Sequence, residues 1–291
     1  MIAALPEARV DATDRGIVEV LYLGRLGNRL TQYCMGRIVA TALGFDLWSE
    51  TIPGFPNVQG FATDASPQSS RFQVIGGHRL DLAGILADRT PRRIVMRGFF
   101  HRYEYYRPHK ELIREWLASD SGEQSPPDEL TIHVRAGDIW KGDRDPRKVH
   151  PEYHGLPFSF YDGIVRSRPW SKVKVVTEDR SDPMVGKLVA TYDAELQSGS
   201  KPEDFNALRA SSNLVLSVSS YAWWAGWLSN ASQIFFPVVG FFDQARARQR
   251  PSVWQQDVWV DDEPRYVAIR PAGLAGAWTG TEEERQRLLN S

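Results

Sequence analysis

Three short stretches combine residues that could hold a phosphorylated ligand. In His133-Val-Arg-Ala-Gly-Asp138, alternation along an extended chain puts His133 and Arg135 on one face. An arginine there could meet a diphosphate bidentately and offset the charge that builds on a leaving nucleoside diphosphate. The same spacing also fits an Arg135–Asp138 ion pair closing a turn, with His133 a satisfied interior side chain. In Gly24-Arg-Leu-Gly-Asn28, Gly24 and Gly27 permit close approach of backbone to a ligand, and a following helix would offer unpaired N–H groups. Arg25 and Asn28 add a cation and an amide that both donates and accepts; a bare strand-to-helix turn fits the glycines too. Ser219 and Ser220 fall between a strand-like run and a helix-like one, where a serine can cap the helix or its N-terminus can receive phosphate.

Other features offer less. Glu178 and Asp179, with Asp182, follow a strand-like run and could hold a base or ribose through carboxylates, or form an acidic turn with Asp182 as a helix cap. Asp143 and Asp145 have a spacing that can hold a divalent cation, in a highly charged loop. Trp223, Trp224 and Trp227 would cover most of a helix circumference and are read as core. No phosphate loop of the G-x-x-x-x-G-K-[ST] kind, no G-x-G-x-x-G, no H-E-x-x-H and no cysteine-rich metal signature occurs.

The elements that must position these residues alternate. Residues 17–23 and 92–100 read as strands, and the stretch with Leu30, Cys34, Ile38 and Ala42 reads as a helix, as does 105–118. Residues 51–90 are weakly periodic and rich in Pro, Gly and Ser, which predicts loops with short elements. The polar, two-proline stretch 119–129 separates this region from a second one, so domains of 1–125 and 126–291 are expected. There, strands at 130–134, 172–177, 213–218 and 233–239 alternate with helices near 158–167, 183–192, 203–211 and 221–230. Strand–helix alternation implies parallel sheets with helices on both faces, and 291 residues suffice for two cores.

A net charge of −1 offers no global field for nucleic acid or anionic membrane, so an anionic ligand must meet a local site. The single cysteine, Cys34, excludes an intramolecular disulfide framework. The N-terminus has no basic segment followed by a sustained apolar core, and no uninterrupted apolar run approaches the roughly 18 residues of a membrane span. A cytoplasmic protein with at most peripheral membrane association is the expectation.

Taken together, four stretches resemble the bacterial α-1,2-fucosyltransferase family. Residues 24–33, GRLGNRLTQY, are similar to its Gly-x-Leu-Gly-Asn-Gln-x-Phe-Gln-Tyr motif, and IHVRAGD, 132–138, to His-x-Arg-Arg-Gly-Asp. MRGFFHRYEYYRPHKELIREWL, 96–117, resembles a Gly-Tyr-x-Gln-x-x-x-Tyr-Phe segment with His101 in place of the glutamine. NLVLSVSSYAWWAGWL, 213–228, resembles Asn-Ser-Ser-Phe-Ser-Trp-Trp-x-x-Trp-Leu. The chain departs from the pattern at Ala136, where the family has a second arginine, and at Arg29, where it has glutamine.

The resemblance implies a GT-B-like α/β architecture, two Rossmann-like domains facing across a cleft, with an acceptor-side domain first and the nucleotide-sugar donor domain second. It implies inverting, metal-independent transfer of L-fucose from GDP-fucose to a hydroxyl of a glycan acceptor, without a cofactor. Carried over, Arg135 would contact the donor diphosphate, His133 and Asp138 would shape that pocket, and Ser219 and Ser220 would bind phosphate. Gly24, Arg25, Gly27 and Asn28 would close on the donor from the first domain. A departing nucleoside diphosphate lowers the demand for a strong base; if a base exists, Asp138 or His101 is the candidate, separately from the resemblance. A same-fold transferase with another nucleotide-sugar donor, and a catalytically silent nucleotide-sugar or glycan-binding protein, remain open at this level.

Overall fold

The computed structural model of the chain describes residues 16–58, 71–119, 122–145, 147, 149–252, 255–274 and 276–291; the N-terminal reading above falls on residues outside these. Two compact units divide the chain, the first running to Leu117 and the second from Ala118, with Ser252 grouped with the first.

In the first unit the order is β1 (Ile17–Val20), α1 (Leu26–Leu43), β2 (Asp46–Trp48), β3 (Phe72–Ile75), α2 (Leu82–Ala87), β4 (Arg93–Met96), α3 (Tyr103–Tyr106) and α4 (Lys110–Trp116). The four strands form one parallel sheet in the order β2-β1-β4-β3. All four residues of β1 are buried, as a strand covered on both faces requires. Helix α1 lays Leu30, Cys34 and Ile38 into this core, the stripe that its sequence spacing predicts. Two expected elements are shorter than the sequence suggests. Strand β4 stops at Met96 because the chain turns at Gly98 and takes a left-handed conformation at Phe100 (φ 54°). The helix expected over 105–118 breaks around Pro108, which has no N–H to donate, into α3, a 3-10 turn at Arg107–His109 and α4.

The second unit contains β5 (Glu129–Val134), α5 (Phe158–Val165), β6 (Lys172–Thr177), α6 (Pro183–Tyr192), β7 (Glu195–Gln197), α7 (Lys201–Arg209) and β8 (Asn213–Val215). It continues with α8 (Ser220–Leu228), β9 (Gln233–Pro237), α9 (Gln244–Ala247), β10 (Tyr266–Ile269) and α10 (Glu282–Leu289). Its parallel six-stranded sheet runs β10-β9-β8-β5-β6-β7. Helix α7 opens with a reciprocal Ser200–Glu203 capping box. The three tryptophans of α8 are buried, stacked or edge-on to one another at 5.1–5.5 Å, and Trp223 donates Nε1–H to the Val258 carbonyl at 2.8 Å. They are core, as read from their spacing. The chain is thus an α/β protein built on two parallel sheets.

Candidate functional site

Open parallel sheets bind ligands beyond the carboxyl ends of their strands, where the strand order reverses direction. In the second unit that point lies between β5 and β8, because β5 leads on to β6 and β7 on one side and β8 to β9 and β10 on the other. The sequence-predicted residues leave the sheet here: His133–Asp138 at the end of β5, Glu178 and Asp179 after the neighbouring β6, Ser219 and Ser220 after β8.

His133 bridges the reversal point. Its Nδ1 lies 2.6 Å from Ser217 Oγ, in the segment after β8, and its ring tilts against Tyr221 at 5.8 Å. Burial, aided by the Arg135 charge, lowers its pKa to about 3. It is therefore a neutral imidazole that fixes two strand ends. Ser217 and Tyr221 were not singled out from the sequence, and nothing in their spacing marks them.

Arg135 is held on two sides. Its Nη2 donates to Asp138, 3.2 Å from each carboxylate oxygen, and its guanidinium carbon stands 4.2 Å from the centroid of the Tyr153 ring. The side chain is only 11% exposed, yet its buried Nε has no hydrogen-bond partner. A buried donor left unmade costs about 1–3 kcal/mol, and among the described residues none supplies an acceptor to this one. Of the two readings of this stretch, the turn-closing Arg135–Asp138 ion pair is the one the structure contains. Ala136, where the family has arginine, is fully buried.

Around this cation the other residues divide. Glu178 is exposed and beside the β5 loop; a β-carbon at Gly137 would stand 3.3 Å from its Oε1. Asp179 is occupied locally, accepting from Ser181 Oγ at 2.6 Å and Ser181 N at 2.9 Å, bonds that hold its pKa down. Asp182 caps α6 through Met184 N at 2.9 Å. Ser219 is the buried N-cap of α8; it caps through its carbonyl, which accepts from Trp223 N at 2.9 Å, and its hydroxyl makes no capping bond. Ser220 is the first residue of that helix. Asp143 accepts from Glu282 N at 2.7 Å and Asp145 from Arg147 Nε at 3.0 Å. Among the described residues no group of three or more His, Cys, Asp or Glu is placed to hold a metal ion.

In the first unit the corresponding residues follow β1 and β4, which are neighbours in the sheet. Gly24 ends β1's excursion with φ 76°, and the Asn28 amide occupies the space a β-carbon there would need. Arg25 is the exposed N-cap of α1, and Gly27 and Asn28 sit in its first turn, Gly27 accepting Thr31 Oγ1 at 2.9 Å. Arg29 stacks over Tyr22 at 5.8 Å. The glycine loop is tied down by Gln32, whose amide accepts from Leu23 N at 2.9 Å and donates to Gly98 O at 2.9 Å. Sequence reasoning passed over Gln32; the signal was a glutamine inside an otherwise apolar helix face. Gly98 and Phe100 bring His101 against His78, with His101 N donating to His78 Nδ1 at 3.3 Å and the rings 5.2 Å apart. Phe100's left-handed backbone, a strained state for a bulky residue, is held by Tyr106 Oη, which donates to the Phe100 carbonyl at 2.7 Å.

No family model matches the chain, and no curated protein is similar to it. Solved structures similar to it include POFUT1 in complex with GDP, at 11% identity and a TM-score of 0.48, covering 90% of this chain and 100% of that one. POFUT1 in complex with GDP-fucose is similar at 10% identity and a TM-score of 0.41, covering 91% and 99%. A mutant Arabidopsis thaliana FUT1 in complex with GDP is similar at 12% identity and a TM-score of 0.44, covering 79% and 72%. Among the described residues no helix is long and apolar enough to cross a membrane.

Proposed function

We propose that the protein is an inverting glycosyltransferase that moves L-fucose from GDP-fucose to a hydroxyl of a glycan acceptor. The observation that carries this reading is Arg135: a nearly buried guanidinium at the reversal point of the second sheet, with an unmade Nε–H and the N-terminus of α8 following the next strand. Diphosphate is the ligand class that uses such a cation together with helix N–H groups. The four motif-like stretches supply the sugar and the base.

In this proposal the acceptor oxygen attacks the anomeric carbon as the bond to GDP breaks, through an oxocarbenium-like state with inversion. Arg135 takes up the charge growing on the departing diphosphate, and so stabilises the transition state more than the ground state. A stable leaving group lowers the demand for a strong base. Asp138 is committed to Arg135 through both oxygens, which leaves His101 as the residue proposed to receive the acceptor's proton. Glu178 is the carboxylate proposed for the ribose, since Asp179 is engaged by Ser181.

The test is nucleoside diphosphate release from a panel of nucleotide sugars, with and without oligosaccharide acceptors. GDP-fucose should be the productive donor, and Arg135→Ala should lower turnover by about 100- to 1,000-fold at unchanged melting temperature. Wild-type-like turnover by the variant overturns the reading. A second reading keeps the fold and changes the donor; the buried Ala136, in place of a cation, favours it. Release from a different nucleotide sugar in the same panel selects it, and GDP-fucose binding without turnover selects a silent binding protein.

A further inference from the structure

Asp138 alone does not orient Arg135. One guanidinium nitrogen faces both carboxylate oxygens at 3.2 Å, so the contact is single-ended rather than the two-nitrogen fork that would fix the guanidinium plane. A single-ended contact leaves the plane free to swing. The ring of Tyr153, 4.2 Å from the guanidinium carbon, blocks that swing from one face.

Tyr153 is itself fixed. Its own segment is stitched to two distant parts of the unit: Phe241 N donates to the Glu152 carbonyl at 3.1 Å, and Trp278 N donates to the Pro151 carbonyl at 3.0 Å. The Glu152 carboxylate accepts from Arg250 at 2.6 Å. Phe241 meets the Tyr153 ring edge-on at 5.9 Å, and His150 packs against it at 5.0 Å. A half-buried tyrosine in such a frame is a rigid wall, and the cation lies on it.

We infer that Tyr153 is a positioning residue: its ring face sets the plane of Arg135, and thereby aims the unpaired Nε–H at a ligand diphosphate. The inference rests on the assignment of Arg135 to the diphosphate. The ring acts through its negative face, since a cation over an aromatic ring is attracted to the quadrupole most strongly where water is excluded. The phenol oxygen plays no part.

The experiment is GDP affinity by calorimetry on the full chain, with donor KM and kcat alongside. Tyr153→Phe should bind GDP within about twofold of wild type, and Tyr153→Leu should weaken it about twofold to thirtyfold, the span expected of a cation–aromatic contact. Fluorinated phenylalanines at position 153 keep the shape and drain the ring face, so affinity should fall stepwise with each fluorine at constant melting temperature. This series keeps the inference falsifiable if Tyr153→Leu does not fold. An affinity indifferent to fluorination overturns the role given to Tyr153. In an Arg135→Ala background the Tyr153 substitutions should have no further effect; an undiminished effect there also overturns it. If Arg135→Ala itself binds GDP as the wild type does, the functional reading has failed instead.

Discussion

His133 lies two residues before Arg135, and its buried surroundings keep it uncharged. Its pKa of about 3 arises first from burial and second from Arg135, so the neutral ring bonded to Ser217 is the working form. The unfolded chain takes up a proton on this histidine near pH 6.5, the folded one only near pH 3. Between those values the unfolded state binds more protons, so stability falls as pH falls, by at most about 1.4 kcal/mol per pH unit from this group. His154, lowered to about 4 by burial, acts in the same sense from pH 6.5 down to about 4. Replacing His133 with Asn leaves an amide for Ser217 and removes one titrating site. Urea unfolding between pH 6.5 and 4 should then decline less steeply than in the wild type, by up to about 1.4 kcal/mol per unit. Parallel slopes would mean that His133 is protonated in the folded protein.

At the scale of elements, the glycine loop after β1 and the loop after β4 are coupled by one side chain. Gln32 is fully buried and meets Leu23 and Gly98, so Gln32→Leu strands the Leu23 N–H and the Gly98 carbonyl. Two backbone groups without partners, the Gly98 carbonyl buried and the Leu23 N–H partly so, should cost on the order of 2–3 kcal/mol, read as a fall in melting temperature. A loss under about 0.5 kcal/mol would show that water replaces the amide. How much of the fold could be read in advance follows from the same geometry. The strands anticipated from the sequence are β1, β4, β5, β6, β8 and β9, all interior to their sheets, where two covered faces demand continuous apolar runs. The four not anticipated, β2, β3, β7 and β10, are the sheet edges, three or four residues long, with Trp48, Phe72 and Val74 left exposed. Length does not separate the two groups, since β1, β4 and β8 are as short; what the edge segments lack is the continuously buried apolar run of an interior strand. Arg135, His133 and the serines were legible because glycines and strand ends flag them. Tyr153 was not, since its nearness to Arg135 is made by hydrogen bonds from Phe241 and Trp278, residues 88 and 125 positions further along the chain.

Over the whole molecule, a net charge of −1 leaves no long-range attraction for a nucleotide, so affinity must come from local contacts. The proposal gives nucleotide binding to Arg135 and the N-terminus of α8, and assigns Arg25, at the opening of α1, to the transfer step. An interaction that matters only as the glycosidic bond breaks changes kcat and kcat/KM together and leaves ground-state affinity alone, whereas one made to the bound diphosphate throughout changes both binding and rate. Arg25→Ala should therefore bind GDP within about threefold of the wild type while turning over roughly tenfold to a hundredfold more slowly, a barrier increase of about 1.4–2.7 kcal/mol. Arg135→Ala should lose both. The two variants are distinguished by pairing calorimetry with initial rates on the same preparations, with salt held constant because anion binding is screened. If Arg25→Ala loses GDP affinity as severely as Arg135→Ala, Arg25 takes part in nucleotide binding itself and its assignment to the transfer step fails. If it turns over normally, the glycine-arginine opening of α1 is a turn and nothing more.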